Sequence, residues 1–182
     1  MIYLEYICYA IDNQSQGVVV VTKKEINLTQ FLSHHHLCAS LTVTEVENLL
    51  NYLEFVEYKK DDVIANIGDV GEALYFVVKG EVALIHDDGN QTLEIGRMKE
   101  GELMGEMSFF DRKPRMLRVV ATTDETQLLK LSRVMYQRLR IERPYVAVNL
   151  LEHAIISLDH LVRHVSEAGA SLTRYIVGPG KR

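Results

Sequence analysis

Three hydrophobic textures follow one another along the chain. After an opening stretch, apolar residues fall at Val46, Leu49, Leu50, Leu53 and Val56. That is the spacing of a helix with one buried face, predicted over 43–54, with Thr42 and Thr44 as candidate N-caps. From 55 to 131 the period shortens. The runs "FVEYKK", "DVIANI", "ALYFVVKG", "EVALIHD", "QTLEIGRM", "LRVVATT" and "QLLKLS" are separated by turn signals at Gly68 to Gly71, Gly80, Glu100-Gly101 and Thr122-Thr123-Asp124. "DDGN" at 87–90 is a strong hairpin turn. Many short strands at this spacing predict a sandwich or barrel. From 132 the helical period returns. Ser132 caps a short helix, Pro144 permits a restart, and "YVAVNLLEHAIISLDHLVRHV" has no internal Gly or Pro. At 21 residues this last helix would be about 31 Å long.

The last helix carries two apolar stripes. One holds Val146, Leu150, Ala154, Ser157, Leu161 and Val165; the other holds Val148, Leu151, Ile155, Leu158 and Val162. A surface helix needs one stripe. The second calls for a cover, either a symmetric partner helix, the expected answer, or the N-terminal 40 residues. Those residues read as two strands, "YLEYICYA" and "GVVVVTKK", joined by "DNQSQG", or as partly helical. The predicted organisation is an N-terminal extension over 1–42, a domain over 43–165 that ends in a dimerisation helix, and a flexible tail over 166–182.

Composition narrows the function. Hydrophobic residues at 47% and charged residues at 25% permit a globular core. A net charge of -5 gives no general attraction for nucleic acid or anionic lipid, so any anion site must be local. Two cysteines, Cys8 and Cys38, are too few for a disulfide framework or a four-cysteine metal site, and a reduced cytoplasmic protein without a membrane span is expected. Adjacent histidines at 34–36 point in different directions on any regular element, which argues against a metal site. A cupin-like enzyme would need several barrel histidines, and the strands carry only His86. With no nucleophile–base arrangement either, a non-enzyme is expected.

The chemistry concentrates in "GEMSFFDRKPRMLRVVA", Gly105 to Ala121. A short helix begun at Gly105-Glu106 would present free backbone N–H groups to an anion, and glycine permits close approach. Arg115, stiffened by Pro114, supplies a permanent bidentate charge. A carboxylate suits a hydroxyl rather than a phosphate. Together these describe a ribose phosphate.

From about Lys59 to Val165, roughly 60% of the chain, the sequence resembles the cyclic nucleotide-binding domains of protein kinase A regulatory subunits, catabolite activator proteins and cyclic-nucleotide-gated channels. "IANIGDVGEALYFVVKGEVALI" looks like that family's barrel entry, and "MKEGELMGEMSFFDRKPRMLRVVA" like its phosphate-binding cassette. The resemblance implies a mainly β fold with flanking α helices: a double-stranded β-helix (jelly-roll) barrel plus a long C-terminal helix. It implies that Arg115 pairs with a cyclic phosphate and Glu106 with the ribose 2′-hydroxyl. Gly105 and the backbone of Met107, Ser108 and Met116 would cradle the phosphate. Val77, Leu84 and Leu103 are candidate base or sugar contacts in the barrel wall, and His160, Leu161 and His164 are candidates for a lid. Cyclic AMP is mildly favoured over cyclic GMP, because Met116 offers no hydroxyl to a guanine. The expected role is a regulatory module in signal transduction, a homodimer acting on an unidentified protein effector.

Four positions depart from the pattern. Met116 and Leu117 stand where small residues are usual, Arg118 where threonine is frequent, and Arg112 where glycine is common. Arg112 and Arg118 read as solvated charges. Met116 either folds away or blocks the pocket; the second outcome would leave a degenerate, non-sensing interaction module. A competing structural reading has Arg115 and Glu106 joined in a buried ion pair with no ligand. DNA binding is not expected, since 17 residues after Val165 leave no room for a recognition helix.

Overall fold

The computed structural model of the chain describes the backbone of residues 3–8 and 22–27, and residues 40–159 apart from 88 and 90. β1 (Tyr3–Cys8) and β2 (Thr22–Asn27) form an antiparallel hairpin, with Tyr3 opposite Asn27 and Cys8 opposite Thr22. The strand reading of the N-terminal segment therefore holds over these residues, although the second strand is "TKKEIN" rather than "GVVVVTKK". The triple histidine at 34–36 and Cys38 lie outside the described residues.

α1 (Val43–Leu50) starts at Thr42 with a reciprocal cap. The Thr42 hydroxyl accepts from the Glu45 N–H at 3.3 Å, and the Glu45 carboxylate accepts from the Thr42 N–H at 2.8 Å. The helix stops at 50, short of the expected 54. Asn51, Tyr52 and Leu53 each donate to a carbonyl three residues back, which tightens and ends the last turn. Glu54 is then free to pair with Lys130 in the barrel.

The barrel consists of two four-stranded antiparallel sheets. It contains β3 (Glu54–Tyr58), β4 (Val63–Ala65), β5 (Ala73–Lys79), β6 (Glu81–Asp87), β7 (Thr92–Lys99), β8 (Leu103–Met104), β9 (Arg118–Ala121) and β10 (Thr126–Ser132). One sheet has the order β3-β10-β5-β8 and the other β4-β9-β6-β7. Between β8 and β9 lies α2 (Glu106–Asp111). After the barrel come α3 (Arg133–Glu142), whose Ser132 cap accepts from the Met135 N–H at 3.3 Å, and a helix over 144–159, here α4. Residues 160–182, including the outer part of the predicted last helix, lie outside the described residues.

The first sheet is apolar on both faces, and strand alternation divides its side chains between two cores. On β5, Leu74 and Phe76 point toward the helices, whereas Tyr75 and Val77 point between the sheets. The helix-side core gathers Val46, Leu49 and Leu50 of α1, Phe109 of α2, Leu139 of α3, and Val146, Leu150 and Ala154 of α4. The inter-sheet core gathers Val77, Val82, Met104, Val119 and Leu128. Burying a side chain such as Phe76 contributes about 2–3 kcal/mol relative to leaving it exposed. Ser157 belongs to the same stripe of α4 that packs on the barrel, so the helix lies against the cassette. Val148, Ile155 and Ile156 of α4 are exposed.

Candidate functional site: the Gly105–Arg115 cassette

The seat of Arg115 is built from the backbone. Its N–H donates to the Asp69 carbonyl at 2.8 Å, its own carbonyl accepts from the Gly68 N–H at 2.9 Å, and Val70 bridges Pro114. The loop over 66–71 is in turn fastened to α2. The Gly71 N–H donates to the Ser108 hydroxyl at 2.7 Å, and that hydroxyl donates to the Lys113 carbonyl at 2.6 Å. A Cβ on Gly71 would stand 2.9 Å from the Phe109 nitrogen, so only glycine permits this approach.

Gly105 begins α2 with φ 95°, a left-handed conformation that favours glycine. A Cβ here would lie 3.1 Å from the Ala73 carbonyl oxygen and 3.3 Å from Nη2 of Arg115. The missing side chain thus leaves room for the guanidinium at the mouth of the helix. The first bond into α2 runs from the Phe109 N–H to the Gly105 carbonyl at 3.1 Å, so the N–H groups of Met107 and Ser108 have no acceptor within the helix, while that of Glu106 donates to its own carboxylate. The cassette therefore places backbone donors and one arginine close together, the arrangement that suits an anion.

The two charged residues have different surroundings. Glu106 is only 7% exposed. Its Oε1 accepts from the Ser157 hydroxyl of α4 at 2.9 Å. Burial raises the Glu106 pKa above the usual carboxylate range, while hydrogen bonds from its own N–H and Ser157 and the nearby Arg115 charge act in the other direction. Arg115 is half-buried, and no carboxylate among the described residues stands within ion-pair distance of it. The reading in which it simply bridges Glu106 is not what the fold contains: the two interact through charge at longer range.

Arg115 borders a cleft of about 410 Å³ whose wall includes Ala65, Val70, Ala73, Tyr75, Asp69, Glu72 and Lys130. Lys130 is paired with Glu54 at 3.0 Å, and Glu72 with Arg133 at 3.2 Å. Arg115 is consequently the cation of this wall left without a carboxylate. Glu106 is not part of the cleft wall. Burial also raises the pKa of Tyr75, and that of nearby Tyr58 to about 12, so both remain neutral phenols at any ordinary pH.

The remaining candidates divide. Met116 is 68% exposed and is not among the residues that line the cleft beside Arg115. Met107 is also exposed, while Phe109 is fully buried and Phe110 meets it edge-on at 5.1 Å. Val77 and Leu84 belong to the inter-sheet core. Leu103 does not: on β8 it is Met104 that points between the sheets, and Leu103 is buried on the helix side, away from any barrel ligand. His160, Leu161 and His164 lie outside the described residues. Arg118, expected as a solvated charge, pairs with Asp87 at 3.6 Å. Arg112 is exposed and closes α2 with φ 60°, which explains the usual glycine there. Among the described residues no group of histidine, cysteine or acidic side chains is placed to hold a metal, and no helix is long and apolar enough to cross a membrane. Sequence reasoning missed Ser157 as a site residue. Its signal was present as a hydroxyl interrupting an otherwise apolar stripe.

Comparison with known proteins agrees with the geometry. Residues 55–142 match the family model described as the cyclic nucleotide-binding domain. The chain is 34% identical over 152 residues to the cyclic AMP receptor protein of Thermus thermophilus, covering 76% of this chain and 70% of that protein. It is 31% identical over 109 residues to a cAMP-dependent protein kinase regulatory subunit of Hypocrea atroviridis, covering 60% of this chain but 22% of that protein. The crystal structure of the Thermus thermophilus catabolite activator protein superposes with a TM-score of 0.60 at 36% identity, covering 75% of this chain and 61% of that one. The barrel order, the cassette with its unpaired arginine and these relatives together place the chain in the cyclic nucleotide-binding domain family.

Proposed function

We propose that the chain is a regulatory module that binds a cyclic nucleotide at the cassette, with cyclic AMP mildly favoured over cyclic GMP. The observation that carries this reading is Arg115, a half-buried guanidinium with no ion-pair partner among the described residues, set beside the N-terminal donors of α2. A cyclic phosphate supplies the missing anion, and a ribose hydroxyl suits the Glu106 carboxylate. The names of the Thermus and Hypocrea relatives carry the adenine nucleotide, while that of a cGMP-dependent protein kinase of Eimeria tenella carries the guanine one. Met116 brings no hydroxyl for a guanine, and its exposure speaks against an occluded site. The module acts without catalysis: ligand binding changes how the cassette and last helix are presented to a protein effector, in a cytoplasmic setting. The exposed apolar residues Tyr145, Val148, Ile155 and Ile156 suit a second copy of the chain.

Calorimetric titration with cyclic AMP, cyclic GMP and linear AMP tests the ligand. Saturable binding of the cyclic nucleotides, strongest for cyclic AMP and weak for the linear one, is expected. Equal or absent heats for all three would rule the reading out.

A further inference from the structure

Ser157 stands where a ligand hydroxyl would have to go. Glu106 is almost wholly covered, and among the described residues the only hydroxyl it receives comes from α4, at 2.9 Å on Oε1. Two other charged groups act on this carboxylate, Arg115 and Glu102. Neither takes over the hydrogen bond. Val146, Leu150 and Ala154, earlier in the same stripe, are buried in the helix-side core. Ser157 is the polar member of that stripe, and it is spent on the cassette.

We infer that Ser157 is an internal stand-in for the ligand's hydroxyl, so that the outer turns of α4 and the sugar of a bound nucleotide compete for Glu106. The inference rests on the cyclic-nucleotide reading above. In the ligand-free protein the Ser157 hydroxyl satisfies the buried carboxylate and holds α4 against the cassette. A nucleotide whose phosphate is gripped by Arg115 brings its own hydroxyl to Glu106, and Ser157 lets go. The carboxylate exchanges one hydroxyl donor for another and keeps its own N–H, so the exchange leaves no buried charge unsatisfied. By linkage, whatever factor α4 docking subtracts from ligand affinity, ligand subtracts from α4 docking.

The test uses the full chain with Ser157→Ala and Ser157→Thr, titrated with cyclic AMP and with 2′-deoxy cyclic AMP. Losing one competing hydrogen bond to a charged group should tighten cyclic AMP binding about tenfold in Ser157→Ala. Ser157→Thr, which keeps the hydroxyl, should bind like the wild type. The 2′-deoxy ligand has no hydroxyl to offer Glu106, so its affinity should not gain from Ser157→Ala; a general loosening of the fold would affect both ligands alike. Unchanged or weaker cyclic AMP binding by Ser157→Ala, or an equal gain for both ligands, would overturn the competition. If the wild type binds neither nucleotide, the functional reading has failed, and amide hydrogen exchange without ligand still tests the contact. Faster exchange over 150–159 in Ser157→Ala supports the latch, and unchanged exchange refutes it.

Discussion

The proposed site holds Glu106 and Arg115 close to one another but not paired with each other. Glu106 carries the cost. Because burial raises its folded-state pKa, its contribution to stability is fully present below the unfolded value near 4.5 and is lost as pH rises through the folded value. Glu106→Gln removes that cost. Chemical denaturation should therefore show the variant gaining on the wild type as pH is raised from 4 toward 7, with no advantage at the acid end. The same variant should lose affinity for a ribose-containing ligand. A fold that gains stability when a site residue is removed is holding that residue for function. The two roles differed in how readable they were. Arg115 and Glu106 were visible in "GEMSFFDRKPR" because their residue types and spacing carry the chemistry. Whether Met116 blocked the pocket was not visible, since a flexible thioether can point either way and the turn after Pro114 decides.

At the scale of elements, the cassette is a short helix clamped between two loops. Ser108 ties α2 both to Gly71 and to Lys113, and Gly71 sits against the helix backbone. Gly71→Ala pushes a methyl into that backbone, and a destabilisation of about 1–3 kcal/mol is expected in denaturant melts. Arg112 offers the opposite case. Its left-handed φ of 60° is strained for an L residue and free for glycine. Arg112→Gly should raise the stability of the protein by up to about 1 kcal/mol, measured in the same melts, with ligand affinity unchanged. Seven of the barrel strands were legible as β-rich runs between turns. β8, two residues long, was not, because two residues cannot display a period of two. The end of α1 was misplaced for a similar reason: Leu53 fits the helical spacing, but it is buried after the turn that leads into β3.

At the scale of the molecule, α4 joins the two ideas of sensing and assembly. One face carries Leu150 and Ala154 into the core and Ser157 to the cassette; another leaves Ile155, 64% exposed, beside Ile156. The sequence showed both stripes but could not say what covers the second. If that face joins two copies, replacing Ile155 and Ile156 by glutamate should halve the mass found by sedimentation equilibrium while the melt of the barrel is retained. A wild-type chain that sediments as a monomer at high micromolar concentration would remove the dimer from the account.

The central claim is that Arg115 waits for the phosphate of a cyclic nucleotide. Thermal denaturation of the wild type and of Arg115→Ala, each with and without cyclic AMP, tests it most directly. At one hundred times its Kd the ligand should stabilise the wild type by about 2.7 kcal/mol and leave Arg115→Ala unmoved. A wild type that does not shift at millimolar cyclic AMP or cyclic GMP, or an Arg115→Ala variant that shifts as much as the wild type, would contradict it.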